Sequence, residues 1–191
     1  MTKHNNGHKI AKDYDAVADY VKKQRQKGKK IVLTQGSFDM LHIGHARYCR
    51  AAKEHGDVLI VGVDSDNKIR SRKGEGRPVV PQEERLEMLT HLQYVDLVVL
   101  KKQNVPKWEL IRVIKPDVLI ATRQTYNKKQ IKELEKICQK VVVLKPLATT
   151  STSAKLRLVQ IEAAQKIQST LTSKLISTIE EALGELKGEQ K

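Results

Sequence analysis

Short β-branched runs alternate along this chain with stretches of helical character, and that alternation narrows the available folds more than any other feature. Residues 31–34, 58–63, 96–100, 118–121 and 141–144 read as strands. Between them, residues 43–55, 82–92, 108–114 and 127–138 read as helices. Strand–helix–strand units of this kind build a parallel sheet with helices on both faces. The strands are nearly continuous apolar runs, as expected when neither sheet face meets water. The expected architecture is α/β: a doubly wound parallel sheet of about five strands, with an N-terminal helix and a long C-terminal helix.

Two segments lie outside the alternation. Ile10, Tyr14, Val17 and Val21 form one stripe of an amphipathic helix that runs to the turn at Gly28. Near the other end Ile161, Ala164, Ile167, Leu171, Leu175, Ile179, Leu183 and Leu186 recur at three- and four-residue steps. The expected division is an N-terminal helical extension over residues 1–28, a central domain over 29–158 and a C-terminal amphipathic helix over 159–191. The length of that last helix suits a contact with a second subunit.

Where the first central strand ends, the chain reads Gly36-Ser37-Phe38-Asp39-Met40-Leu41-His42-Ile43-Gly44-His45. Small residues turn the chain from strand into helix, and two histidines lie three residues apart in the first helical turn. Both imidazoles then share one helix face, where unpaired N–H groups and the positive end of the helix dipole favour an anion. The pair can donate hydrogen bonds to phosphate oxygens, with Gly36 and Gly44 allowing close approach. Two other roles stay open: plain capping or surface residues, or zinc ligands together with Cys49, the three falling at i, i+3 and i+7 on one helix face.

A second group is Asp64-Ser65-Asp66 followed by Arg70-Ser71-Arg72-Lys73-Gly74-Glu75-Gly76-Arg77-Pro78. It reads as a mobile cationic loop able to close over a polyphosphate. A third is Thr149-Thr150-Ser151-Thr152-Ser153, whose hydroxyls serve equally as phosphate ligands or as an N-cap. Arg85, among Glu83 and Glu84, reads locally as an exposed ion-pair partner on its helix. No P-loop and no nucleophile elbow occurs, which argues against those kinase and hydrolase classes.

Charge bears on partners. With 36 Lys and Arg against 22 Asp and Glu, the net charge is +14. Only seven aromatic residues (one Phe, one Trp, five Tyr) are present, and no segment offers a stacking platform for bases, so nucleic acid is not the expected partner. The longest apolar runs are too short for a membrane span. No apolar leader opens the chain, and the two cysteines have no C-x-x-C spacing. A cytoplasmic setting is expected.

Taken together these residues resemble the H-x-G-H nucleotidyltransferase superfamily and its cytidylyltransferase-like branch, over about Lys29 to Leu158. The run Gly36 to His45 matches G-x-F-D-x-x-H-x-G-H in full. Lys73-Gly74-Glu75-Gly76-Arg77-Pro78-Val79 with Arg85 is most similar to the adenylyltransferase domain of ADP-heptose synthases, and Ser151-Thr152-Ser153 resembles the closing S-T-[ST] motif. The chain departs from the pattern after the fourth expected strand, where Ala121-Thr122-Arg123-Gln124-Thr125 replaces a glycine–aspartate pair.

The resemblance implies a Rossmann-like fold and transfer of a nucleoside monophosphate from ATP or CTP to a phosphorylated acceptor, with release of pyrophosphate. AMP transfer to a sugar phosphate is favoured. Cytidylyl transfer to an alcohol phosphate, adenylyl transfer to flavin mononucleotide, and a non-catalytic nucleotide-sensing or RNA-binding role are the alternatives. By motif match His42, His45, Lys73 and Arg85 are the catalytic residues. Gly36, Ser37, Phe38, Asp39, Gly44, Ser151, Thr152 and Ser153 bind the nucleotide, and Asp66, Arg72 and Arg77 serve the acceptor or the loop. Magnesium (Mg2+) is expected to arrive with the nucleotide, bound through its phosphates rather than by protein side chains. A homodimer is the expected assembly.

Overall fold

The computed structural model of the protein describes residues 9–122, 125–145 and 152–188. The strands are β1 (Ile10–Ala11), β2 (Ile31–Gly36), β3 (Val58–Asp64), β4 (Leu97–Lys101), β5 (Val118–Thr122) and β6 (Lys140–Leu144). The helices are α1 (Tyr14–Gln26), α2 (Ile43–Lys53), α3 (Asp66–Lys73), α4 (Gln82–Thr90), α5 (Glu109–Ile114), α6 (Lys128–Leu134) and α7 (Thr152–Gly188).

All neighbouring strands run parallel, in the order β1-β4-β3-β2-β5-β6. The chain moves outward from β2 to β3 and β4, then returns past β2 to β5 and β6. That reversal puts the switch point of a doubly wound sheet at the carboxyl end of β2, where such sheets bind ligands. The expected fold class is correct.

Register explains why the strands are apolar throughout. Ile31 and Leu33 of β2 join a core with Val17 and Val21 of α1, Leu110 and Ile114 of α5 and Leu134 of α6. Val32, between them, joins the opposite core with Cys49 and Ala52 of α2 and Leu86 and Leu89 of α4. Alternate residues of one strand therefore serve two faces. Each such buried aliphatic side chain contributes about 1.5–3 kcal/mol.

The structure corrects four readings. The sheet has six strands rather than about five. Ile10 is not in the first helix: Ile10 and Ala11 extend alongside Val98 and Val99 of β4, and α1 starts only after Asp13, whose carboxylate accepts from Ala16 N–H at 2.8 Å. The cationic loop is half helix, because α3 takes in Arg70 to Lys73 and leaves residues 74–81 as the loop. The last helix begins at Thr152 rather than near residue 159.

The chain divides into two compact units, Met1–Thr149 and Thr150–Lys191. The described part of the second unit is α7, on which Ile161, Ile167, Leu171, Leu175 and Ile179 are exposed.

Candidate active site

Strand β2 ends at Gly36, and the turn that follows is tight. Phe38 and Met40 both take φ of 48°, a left-handed conformation that residues with a side chain rarely adopt. The Phe38 ring folds back over Gly36, where an added Cβ would lie 3.2 Å from the ring. Buried there, it stands 5.5 Å from the His45 ring and forms a floor under it.

His42 is the N-cap of α2. Its Nδ1 accepts from Gly44 N–H at 3.0 Å, and the Nδ1 of His45 accepts from His42 N–H at 3.3 Å. The two rings lie 4.2 Å apart. Because each Nδ1 acts as an acceptor, the proton of each neutral ring sits on Nε2. The helix start thus fixes both tautomers and turns two histidines into a pair of Nε2–H donors.

Burial pushes the His45 pKa down to about 4, helped by His42 and Lys73, while Asp39 opposes the shift. The unfolded chain, with an ordinary histidine near 6.5, therefore binds the extra proton between about pH 4 and 6.5 and the folded protein does not. Stability carried by this group is full above that window and declines as the pH falls through it. The expected NMR titration of the His45 ring has its midpoint near 4. A midpoint near 6.5 would overturn the assignment of a neutral ring.

The loop over residues 74–81 is pinned to this turn by one buried carboxylate. Asp39 accepts from Val79 N–H at 3.0 and 3.2 Å and from Val80 N–H at 3.0 Å, and pairs with Arg77 at 3.4 Å. Lys73, the last residue of α3, donates to Ser37 Oγ at 3.1 Å. Its pKa is lowered by burial and by the neighbouring Arg77 and Arg72. Lys73 and Arg77 thus both contact the turn that carries the histidines, through Ser37 and Asp39.

Arg85 is not the exposed partner that its local sequence implies. It is only 1% exposed, and its guanidinium donates to the carbonyls of Ser37, Asp64 and Val80 and to the Asp66 carboxylate at 2.6 Å. Arg85 and Asp66, expected at the phosphates and the acceptor, are paired with one another. Together they brace the ends of β2 and β3 against the loop. Arg72 donates to Asp64 at 2.9 Å, and Lys101 holds the other oxygen of the same carboxylate at 3.0 Å.

Cys49 belongs to the core, its thiol pushed up to about 12 by burial, so it does not join the histidines as a third ligand. Among the described residues, no group of three or more His, Cys, Asp or Glu side chains could hold a metal ion. Ser151 lies outside the described residues, and Thr152 and Ser153 open α7 in the second unit.

Sequence reasoning missed a cleft of ≈ 190 Å³ beside α3, bordered by Tyr14, Gln35, Lys101 and Trp108. Only the polar Gln35 near the end of β2 signalled it.

The profile of the cytidylyltransferase-like family matches residues 33–180, which includes the turn, both histidines, Lys73 and Arg85. This chain belongs to the cytidylyltransferase-like family. Membership makes it a nucleotidyltransferase. Among curated relatives, the bifunctional protein HldE of Nitratiruptor sp. is 46% identical over 109 residues, which are 57% of this chain and 23% of that protein. HldE of Wolinella succinogenes is 41% identical over 146 residues, 76% of this chain and 30% of that protein. The chain thus spans under a third of the length of these relatives.

The solved structure of a lipopolysaccharide core biosynthesis protein from Thermoplasma volcanium is 26% identical, with a TM-score of 0.56, and the match covers 63% of this chain and 100% of that one. Pantoate-beta-alanine ligase from Francisella tularensis shares the fold at 20% identity and a TM-score of 0.53, covering 71% of this chain and 66% of the ligase.

Proposed function

We propose that this cytidylyltransferase-like protein transfers AMP from ATP to a sugar phosphate. An oxygen of the acceptor's phosphate attacks the α-phosphorus, the bond from that phosphorus to the β-phosphate oxygen breaks, and pyrophosphate leaves. The observation that carries the reading is the pair of Nδ1-anchored histidines at the start of α2, beside Lys73.

Their Nε2–H groups donate to the non-bridging oxygens of the α-phosphate, where charge builds during displacement. Both donors are oriented before substrate arrives, so little reorganisation is needed at the moment of reaction. Lys73 offsets the charge of the leaving pyrophosphate, and the Asp39-pinned loop holds Lys73 and Arg77 at the turn. Magnesium arriving with the nucleotide would supply further charge neutralisation. The name of the Thermoplasma structure, with its reference to lipopolysaccharide core, supports an acceptor of carbohydrate chemistry. The reading includes a homodimer and a reducing cytoplasm, in which Cys49 and Cys138 stay as thiols.

Pyrophosphate release from ATP and CTP, each offered with hexose phosphates, glycerol 3-phosphate and flavin mononucleotide, tests this directly. Turnover is expected with ATP and a hexose phosphate. Turnover confined to CTP and glycerol 3-phosphate would replace the reading with cytidylyl transfer. Salt-dependent RNA binding without pyrophosphate release would replace it with a non-catalytic role.

A further inference from the structure

Six of the nine residues in Lys22-Lys23-Gln24-Arg25-Gln26-Lys27-Gly28-Lys29-Lys30 are cations, and none is an acid. The run closes α1, turns at Gly28, where φ is 70°, and enters β2. A helix that feeds a parallel strand delivers the chain to the amino end of the sheet, so the run lies there. Strand β2 has six residues, and at ~3.3 Å per residue the histidine turn stands about 17 Å away, at the other end. All six cations are exposed.

The aspartates at this end are turned inward. Asp57 accepts from Lys30 N–H at 2.8 Å, Asp117 from Ile31 N–H at 2.7 Å, and Asp96 from Leu59 N–H at 2.7 Å. Each of these carboxylates is thus occupied by an N–H group at the start of a strand. Among the described residues, no carboxylate forms an ion pair with Lys22, Lys23, Lys27, Lys29 or Lys30.

Two further lysines extend the patch. Arg25 donates to the carbonyl of Lys115, which holds the end of α5 beside α1. Asp117 N–H donates to the Ile31 carbonyl at 3.0 Å and Lys140 N–H to the Asp117 carbonyl at 3.1 Å, so β2, β5 and β6 begin side by side. Lys115 and Lys140 are both exposed. The charges at the end of α6 cancel, Lys132 and Lys136 against Glu133 and Glu135.

Neither helix stability nor a nucleic-acid groove accounts for such a run. The dipole of α1 is complemented by cations in its last turn, here Lys23 and Arg25. Proteins that bind single-stranded RNA line a groove with aromatic rings on which bases stack, and this run has no aromatic residue. Clusters of about four to eight Lys and Arg suit the diffuse negative charge of anionic lipid headgroups.

We infer that the amino end of the sheet docks reversibly on an anionic lipid bilayer. The contact is electrostatic and peripheral. The run carries no apolar side chain to insert, and among the described residues no helix is long and apolar enough to cross a membrane. In this orientation the histidine turn faces away from the lipid. The inference stands on charge and topology and is independent of the reaction that the turn performs.

Co-sedimentation of the full chain with vesicles tests it, with phosphatidylcholine alone and with a one-third admixture of phosphatidylglycerol. Binding is expected only with phosphatidylglycerol present, and is expected to vanish at about 1 M salt, where screening sets in within ~3 Å. Each cation near such a surface strengthens binding about fivefold. The triple reversal Lys22→Glu, Lys27→Glu, Lys29→Glu is therefore expected to lose at least about a hundredfold. Reversing the exposed Lys102, Lys128 and Lys129 makes the same change in net charge at the carboxyl ends of the strands, and is expected to cost less than about tenfold. Should the first triple lower the melting temperature, Lys22→Gln, Lys27→Gln, Lys29→Gln replaces it, with a smaller loss in the same direction.

Equal losses in the two reversal triples would assign the binding to net charge rather than to this face, and would overturn the inference. So would equal binding to both vesicle types, no binding to either, or binding that survives high salt. A labelled single-stranded RNA held more tightly than the vesicles, and released by the first triple alone, would give the face to nucleic acid instead.

Discussion

Replacing either histidine of the turn is expected to lower kcat by about a hundred- to a thousandfold while ATP affinity changes little. That is the usual loss when one preorganised donor to a developing charge is removed. The geometry separates the two residues. The ring of His42 also caps α2 by accepting from Gly44 N–H at 3.0 Å, so His42→Ala should lose about 0.5–2 kcal/mol of stability as well. Asparagine caps a helix as well as any residue but lacks an N–H at the Nε2 position. His42→Asn should therefore restore the melting temperature and leave kcat low. Recovery of kcat in His42→Asn would show that the cap, and not the Nε2–H donor, is what the reaction needs.

The largest stability effect is expected at Arg85. Its loss would leave the carbonyls of Ser37, Asp64 and Val80 without this donor and strand the Asp66 carboxylate. Breaking a buried charged pair in this way costs about 3–5 kcal/mol. For a domain of this size that is a melting-temperature drop of about 6–20 °C for Arg85→Ala. Arg85→Lys should recover little, because a single ammonium cannot span three carbonyls as the guanidinium fork does. Activity should fall with stability, since Ser37 and the loop both lose their anchor. If Arg85 instead met the nucleotide directly, Arg85→Lys would melt like the wild type and lose ATP affinity alone. Thermal melts read beside ATP titrations decide between these outcomes.

Arg85 also shows where sequence reasoning stops. Its neighbours Glu83 and Glu84 describe a surface helix, whereas its actual partners at Ser37 and Asp64 lie 48 and 21 residues away. No local pattern encodes such a brace. The histidine turn was legible for the opposite reason, since strand end, turn and helix start are contiguous and each demands particular residue types. Helix α3 was missed because Lys68, Arg70, Arg72 and Lys73 leave it a single buried apolar residue, Ile69. Its ends were nevertheless marked, by Ser65 accepting from Lys68 N–H and by Gly74 at φ of 86°. Strand β1 has two residues, too few to show an alternation. The cleft joins Tyr14, Gln35 and Trp108 from three remote segments, and so became visible only once the sheet was assembled.

The strand order has a consequence for how the protein forms. Strand β2 is flanked by β3, which soon follows it in the chain, and by β5, which pairs Val32 with Val118 across most of the domain. Until β5 arrives, β2 is an edge with one row of N–H and C=O groups open to any other strand. Closing so long a loop is the slow kind of step in a parallel sheet. The histidine turn at the end of β2 is thus completed late, and a newly made chain passes through a stage in which a strand that ends up buried is exposed on one side.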